Sequence, residues 1–384
     1  MNSKLIDEIV SLIPMLRSNA LEAERRRKPV DEVFQALCDT GVFKAFVPAH
    51  FGGYELDLPS FMKIGIELGR GCVSTAWVTT FCMEHNWLLA QFSQSAQEEI
   101  FGTQPYIIAP GTISPTGTAT PDGDGFILNG RWKWATGVMH ADWVLLSGMV
   151  ENAGFPDLRM FILPIDQVDV IDTWYIDGMV GTGSNDIQVN SVYVPEHRAE
   201  SVMQMAIGRG RGSVWHDRDI FKIPMLPFKC ITAAAPAVGA AIEAVHLFET
   251  RIRERTLFGS SAKQQDNPAA QMRLGRLNVR ALWVEQQIID LAQAIQQAGC
   301  EAQACPPRKR AEYRLTAAMI VHECRNIVRD VVEASGASAH FLDHPLQRIH
   351  RDVHTLACHA VFDLDTASEL YGRSRLGLEV KGLV

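Results

Sequence analysis

Hydrophobic positions divide the 384-residue chain into three zones with different periods. In residues 1–103 they recur every three to four residues, the spacing of an amphipathic helix. Val30, Val33, Phe34 and Leu37 stand at i, i+3, i+4 and i+7, and Gly41 follows as a helix stop. Pro59–Leu68 and Ser74–Phe92 also read as helices, set apart from the first by the loop 48–54. In residues 104–200 the pattern changes to short apolar, aromatic and β-branched runs: Gly125–Leu128, Trp143–Met149, Met160–Leu163 and Ile187–Val194. Turn signals at Pro110-Gly111, at Pro121 to Gly125 and at Asn129-Gly130 separate them, which predicts a small antiparallel β-domain. Residues 201–226 read as a linker. From 227 to 384 the helical period returns in four long segments, 228–258, 268–298, 307–334 and 345–371, which predict a four-helix bundle.

Composition narrows the possibilities. The chain is 47% apolar, and its length calls for two or three packed units. A formal charge of −8 and no dominant basic patch argue against nucleic acid as a partner. Cys230–Ile242 is the most apolar stretch, but Pro236 interrupts it and it is shorter than a bilayer span, so it reads as a buried core helix and no membrane association is expected. The first residues carry charges where a secretion signal needs an apolar run. Eight scattered cysteines form no C-x-x-C pair, which suggests reduced thiols in a cytoplasmic protein and no metal site. His350 and His354 are four apart, but Arg351 stands where a metal-binding helix would carry its Glu. Gly208-Arg209-Gly210-Arg211-Gly212 matches no phosphate loop and reads as a flexible connector, with an anion-touching lid as the alternative.

Local motifs carry a resemblance. Phe46-Val47-Pro48 with Phe51-Gly52-Gly53, Arg255 to Gly259 with Gln271, and Leu346 to Asp352 resemble three elements of the acyl-CoA dehydrogenase superfamily, and span nearly the whole chain. The resemblance implies an α+β fold of an N-terminal helical domain, a middle β-domain and a C-terminal four-helix bundle. Ser74 to Trp77, His85-Asn86-Trp87, Trp134 to Gly137 with His140-Ala141, and Gly181 to Asp186 resemble a narrower group. That group is the flavin-dependent monooxygenases of this fold, the oxygenase halves of two-component systems such as the 4-hydroxyphenylacetate and secosteroid phenol hydroxylases. The family more often has Ser where this chain has Thr136.

A dehydrogenase of this fold needs a carboxylate base. Counted from Arg351-Asp352, the family's Glu position falls on Ala360, which accepts no proton, although Glu254 lies on a helix where a displaced base is an alternative. The monooxygenase reading implies reduced FMN or FAD, molecular oxygen and a C4a-hydroperoxide protected from water. It also implies a small phenolic or indolic substrate. With no G-x-G-x-x-G unit for a nicotinamide, it implies a separate NAD(P)H-flavin reductase acting transiently. The fold implies a homotetramer. Oxidation of nitrogen or sulfur is a variant of the same chemistry.

By resemblance, Thr136 contacts the flavin N5, and His85 and His359 are the candidate acid–base groups, since imidazole titrates near neutrality. Read without the family, His85 is a core histidine on a face shared with Phe81, Leu88 and Leu89, and Thr136 is a strand threonine. Trp134, Ser184, Arg255 and Arg351 are the other candidate cofactor contacts, the arginines through phosphate. The lesser alternative for each arginine is a helix-end ion pair. Thr112 and Trp87 are candidate substrate contacts, with core packing the alternative for the tryptophan.

Overall fold

A computed structural model describes residues 2–380 and 382, apart from 152, 153, 155, 156, 257, 258, 260 and 301–304. Leu257 and Phe258 of the Arg255–Gly259 motif therefore lie outside the described residues. Five helices open the chain: α1 (Asn2–Arg26), α2 (Asp31–Thr40), α3 (Leu58–Gly71), α4 (Val73–Leu89) and α5 (Gln94–Phe101). Every residue of α4 is buried. Its sequence is apolar on all sides with only Glu84 and His85 ionisable, and such a helix is stable only inside a core.

The middle zone is one seven-stranded sheet in the order β5-β6-β2-β1-β3-β4-β7. Its strands are β1 (Gly111–Asp122), β2 (Gly125–Trp132), β3 (Trp143–Val150), β4 (Asp157–Pro164), β5 (Asp169–Ile171), β6 (Asp186–Pro195) and β7 (Ala199–Ser201). All four expected runs are strands. The sheet is mixed, not purely antiparallel, because β1 and β3 pair in parallel. After the β1–β2 hairpin, residues 133–142 cross the end of the sheet and bring β3 up on the other side of β1 in the same direction. The sequence reading missed β1 because Pro115, Gly117 and Pro121 carry turn chemistry; the strand absorbs them with a register shift between Thr112 and Gly117.

Residues 201–226 hold α6 (Val202–Ala206) and two short 3₁₀ turns. The Gly208–Gly212 stretch is not a loose connector. Arg211 binds Glu200 and Glu196, and a Cβ on Gly212 would lie 2.1 Å from the Ala90 carbonyl oxygen, so only glycine fits that approach.

The last zone contains α7 (Met225–Glu254), α8 (Pro268–Cys300), α9 (Pro307–Ser335), α10 (Pro345–Ala357) and α11 (Leu364–Arg375). The fourth expected segment, 345–371, is thus two helices with a break at 358–363. His359 and Asp363 both leave the helical region of backbone space, and each caps a new turn by accepting the N–H of Val361 or Thr366. α7 is the described helix long and apolar enough to cross a membrane, but 83% of its apolar window is buried between α3, α4, α8 and α9, as a core helix.

Candidate active site

Trp77, Phe81 and His85 stand at i, i+4 and i+8 of α4 and form one stripe. At its lower end the Trp77 indole N–H donates to Thr136 Oγ1 at 3.4 Å. Thr136 Oγ1 lies 3.0 Å from Ser184 Oγ, which lies 2.8 Å from Thr182 Oγ1, and Thr182 donates to the Met179 carbonyl. Three hydroxyls thus form one buried relay. Its two loops are clamped together, since the Ala135 N–H donates to the Asn185 carbonyl at 3.0 Å. Trp134 has φ +62°, which turns its indole outward with 66% of the residue exposed beside the relay.

Asp352, the acid of the Arg-Asp motif, fastens the second loop. Its Oδ1 accepts the Met179 N–H at 2.6 Å and its Oδ2 accepts from Ser74 Oγ at 3.4 Å. Burial lifts its pKa to about 6.

At the upper end of the stripe His85 is fully buried. Its Nδ1 is 2.6 Å from the Ala109 carbonyl, so Nδ1 carries the hydrogen and Nε2 keeps a lone pair. Nε2 has no hydrogen-bond partner. It faces Gly111, where a Cβ would come within 2.8 Å of it, so glycine keeps this space open. Burial first, then the Lys229 charge, hold its pKa far below that of free imidazole.

His359, in the break after α10, closes the stripe from the side. Its ring lies 5.5 Å from Trp77 and 6.3 Å from Phe81. The side chain is accessible, yet protein encloses it closely enough for desolvation to bring its pKa down to about 4. His359 thus stands at the accessible edge of the stripe. The structure therefore brings His85, Thr136, Ser184 and His359 together around one aromatic stripe.

Other candidates lie elsewhere. Trp87 is roughly 200° around α4 from His85. It is fully buried, stacked on Phe228 at 4.2 Å with its indole N–H on the Ile220 carbonyl, and so is a packing residue with no face for a ligand. Thr112 is buried with an unpartnered hydroxyl, but it is paired with Leu146 on the sheet face opposite to Gly111. Arg351 is committed within the chain. It binds both Glu24 carboxylate oxygens at 3.0 and 2.9 Å, Gln347 at 2.9 Å and the Asp177 carbonyl, so it is ion-paired and four of its five N–H groups are spent within the chain. Arg255 spends one N–H on the Ser335 carbonyl and otherwise lines a cleft of about 400 Å³ with Arg251, Glu254 and His344.

One group escaped the sequence reading. Glu84, buried beside His85, accepts from Lys229 Nζ and Thr232 Oγ1 of α7. The signal was present as single charges of opposite sign in two otherwise apolar helices. A buried charge requires a partner, but which partner is a tertiary fact.

Models of the acyl-CoA dehydrogenase N-terminal and C-terminal domains match residues 14–102 and 231–364. A pigment production hydroxylase of Rhodococcus sp. (strain ATCC 21145) is 35% identical over 98% of this chain and 97% of its own. The flavin-dependent monooxygenase oxygenase subunit HsaA of Mycobacterium tuberculosis is 33% identical over 96% of this chain and 94% of its own. The crystal structure of that monooxygenase superposes with a TM-score of 0.93 at 29% identity, covering 100% of this chain and 99% of that one. XiaF from Streptomyces sp., solved with FADH2 and glycerol, gives a TM-score of 0.92 at 26% identity over 99% of this chain and 97% of that one. The chain belongs to the acyl-CoA dehydrogenase superfamily, in its branch of flavin-dependent monooxygenase oxygenase components.

Proposed function

We propose that this enzyme uses reduced flavin and oxygen to hydroxylate a small phenol, with His85 Nε2 receiving the phenolic proton. The observation that carries this reading is the unpartnered, buried Nε2 at one end of an aromatic stripe whose other end is the Thr136 relay. The residues suit a flavin. Thr136 and Ser184 offer hydroxyls to its polar edge, and the outward indole of Trp134 offers a flat apolar wall. When bound, reduced flavin supplies the electrons that activate oxygen. The protein orients the ring, excludes water along Trp77 and Phe81, and takes a proton at His85, which makes the aromatic ring a better nucleophile. A separate flavin reductase delivers the reduced flavin by diffusion.

A dehydrogenase with a displaced base is disfavoured. Glu254 and Lys229 are 25 residues apart on α7, roughly 37 Å along the helix, so Glu254 sits at the wrong end for the stripe.

We also place the enzyme in the cytoplasm as a homotetramer. The thiols of Cys38, Cys72, Cys82, Cys230, Cys324 and Cys358 are free, as a reducing compartment keeps them. Met272, Val279 and Trp283 form an exposed apolar line on α8, with Met319 of α9 also exposed, which suits a second copy of the chain. The Arg255 cleft supports the same reading, since His344 within it and His359 at the stripe are the two ends of α10, roughly 20 Å apart. It would serve a flavin held mainly by another copy.

The test mixes protein, reduced flavin, oxygen and a panel of phenols. Hydroxylated product in excess of released peroxide is expected. Peroxide alone with every phenol, or bleaching of bound oxidised flavin by an acyl-CoA, would overturn the reading. Sedimentation at micromolar protein tests the tetramer, and cell fractionation tests the compartment.

A further inference from the structure

Two buried charges stand beside the proposed proton acceptor and the mechanism above does not use them. Glu84 immediately precedes His85 on α4, and its Oε1 lies 3.8 Å from His85 Nε2. Lys229 reaches Glu84 from α7, and Thr232, one turn further along, donates to its other oxygen. Glu84 is fully buried, and 7% of the Lys229 side chain is exposed. Lys229 Nζ also sits 5.5 Å from the centre of the Phe81 ring, the middle residue of the stripe.

A buried ion pair of this kind contributes little net stability, because desolvating both ions offsets their attraction. A bond between helices here could be made by apolar side chains at no cost in charge, so the placement calls for another account. A lone carboxylate 3.8 Å from an imidazole would hold it as the cation, and a cation has no lone pair to offer a substrate. A lone ammonium would have the opposite effect and would resist imidazolium formation when the proton arrives. The pair together does neither strongly.

We propose that Lys229 and Glu84 are positioning residues that set the charge of His85: Lys229 occupies the Glu84 carboxylate so that Nε2 stays unprotonated and open, and Glu84 then stabilises the imidazolium once a substrate hydroxyl has given up its proton. The proton leaves the substrate oxygen, forms a bond to Nε2, and returns to solvent after product release. This deepens the reading of His85 as acceptor and rests on it. The surroundings agree. The charged groups facing His85 are Glu84 from its own helix and Lys229 from α7. The Ala109–Gly111 segment contributes only backbone. His359 faces across Phe81 and is kept neutral by desolvation and by the same Lys229.

The experiment is a histidine-selective NMR titration of the full-length protein, with His85→Gln assigning the resonance among 12 histidines. In the wild type His85 should stay neutral down to the acid limit of folding. Lys229→Met should raise its midpoint by about 1–2 pH units, so that the cation appears above the acid limit of folding. Adding Glu84→Gln should reverse that rise, and Lys229→Arg should largely restore the wild-type behaviour. A neutral His85 throughout in Lys229→Met, or a rise that Glu84→Gln fails to reverse, overturns the proposal. Should Lys229→Met fail to fold, Thr232→Val is the second variant. It frees one Glu84 oxygen without removing a charge and should give a smaller rise; an unchanged titration there overturns the proposal as well. If these titrations hold but no phenol is hydroxylated, the function fails and the role of the pair stands. If phenols are hydroxylated with one pH profile in all variants, the pair fails and the function stands.

Discussion

At one end of α10, His359 stands at the accessible edge of the desolvated stripe of Trp77, Phe81 and His85, where both imidazoles are held neutral. At the other end His344 shares an open cleft with the guanidiniums of Arg251 and Arg255. The first region suits chemistry on a neutral ring, where a displaced proton must be caught at a defined atom. The second suits an anion, which needs fixed positive charge rather than dryness. The same helix frames both, so the difference lies in what packs against each end. α4 and α7 cover the first, whereas among the described residues the second stays open.

Several substitutions would break or sharpen this contrast. His85→Ala should lower hydroxylation by about 10²–10⁴-fold while leaving flavin affinity near the wild-type value, and product yield per reduced flavin measures it. Equal loss of flavin binding would show that the dry region is merely structural. Trp87→Ala, on the packed side of the same helix, should cost about 3–5 kcal/mol in stability, read from the denaturant midpoint. Arg255→Ala should weaken flavin binding by roughly tenfold in a salt-dependent way with little change in stability. Titrating reduced flavin at two salt concentrations tests it, and no change would remove the cleft from the cofactor's path. Thr136→Val keeps the shape and removes the hydroxyl, and should shift the product-to-peroxide ratio by roughly 3–10-fold toward peroxide.

The smallest effect is in pH-dependent stability. His216 and His359 have folded pKa values lowered to about 4 from an ordinary 6.5. Below pH 6.5 the unfolded chain binds protons that the folded one does not, so their contribution, full above pH 6.5, is lost as pH falls toward 4. Asp352 has the opposite sign. Its folded pKa is raised from 3.8 to about 6, so its contribution is greatest below pH 4 and fades as pH rises through 6. Asp352→Asn keeps an acceptor for the Met179 N–H and should leave stability at pH 8 unchanged or slightly higher. A fall in Tm at pH 8 would show that the charged form is the favoured one.

Much of the architecture was legible along the chain. Period and turn chemistry located the helices and the four strong strands, because burial of one face imposes its period on the residues. Family-like motifs singled out His85, Thr136 and Ser184 as candidates. Their convergence was not legible, since α4, the turn after β2 and the turn before β6 meet only through the packed sheet and helices. The mixed sheet and the broken fourth segment escaped for local reasons: β1 contains prolines and a glycine that normally mark turns, and His359 and Asp363 cap new turns inside an otherwise helical pattern.

Arg255 and Arg351 mark the division most clearly. By residue type both suit a phosphate, although Arg255 caps the end of α7 and Arg351 stands in the middle of α10. The chain alone determined that each is cationic and able to fork, because that is a property of the side chain. Only the tertiary structure decided that Glu24, Gln347 and Asp177 take four of the five N–H groups of Arg351 while Arg255 faces an open cleft. The same holds for Glu84 and Lys229, 145 residues apart. The sequence required each to find a partner, since a lone buried charge is too costly to keep, and the packing of α4 on α7 chose the partner and set it beside His85.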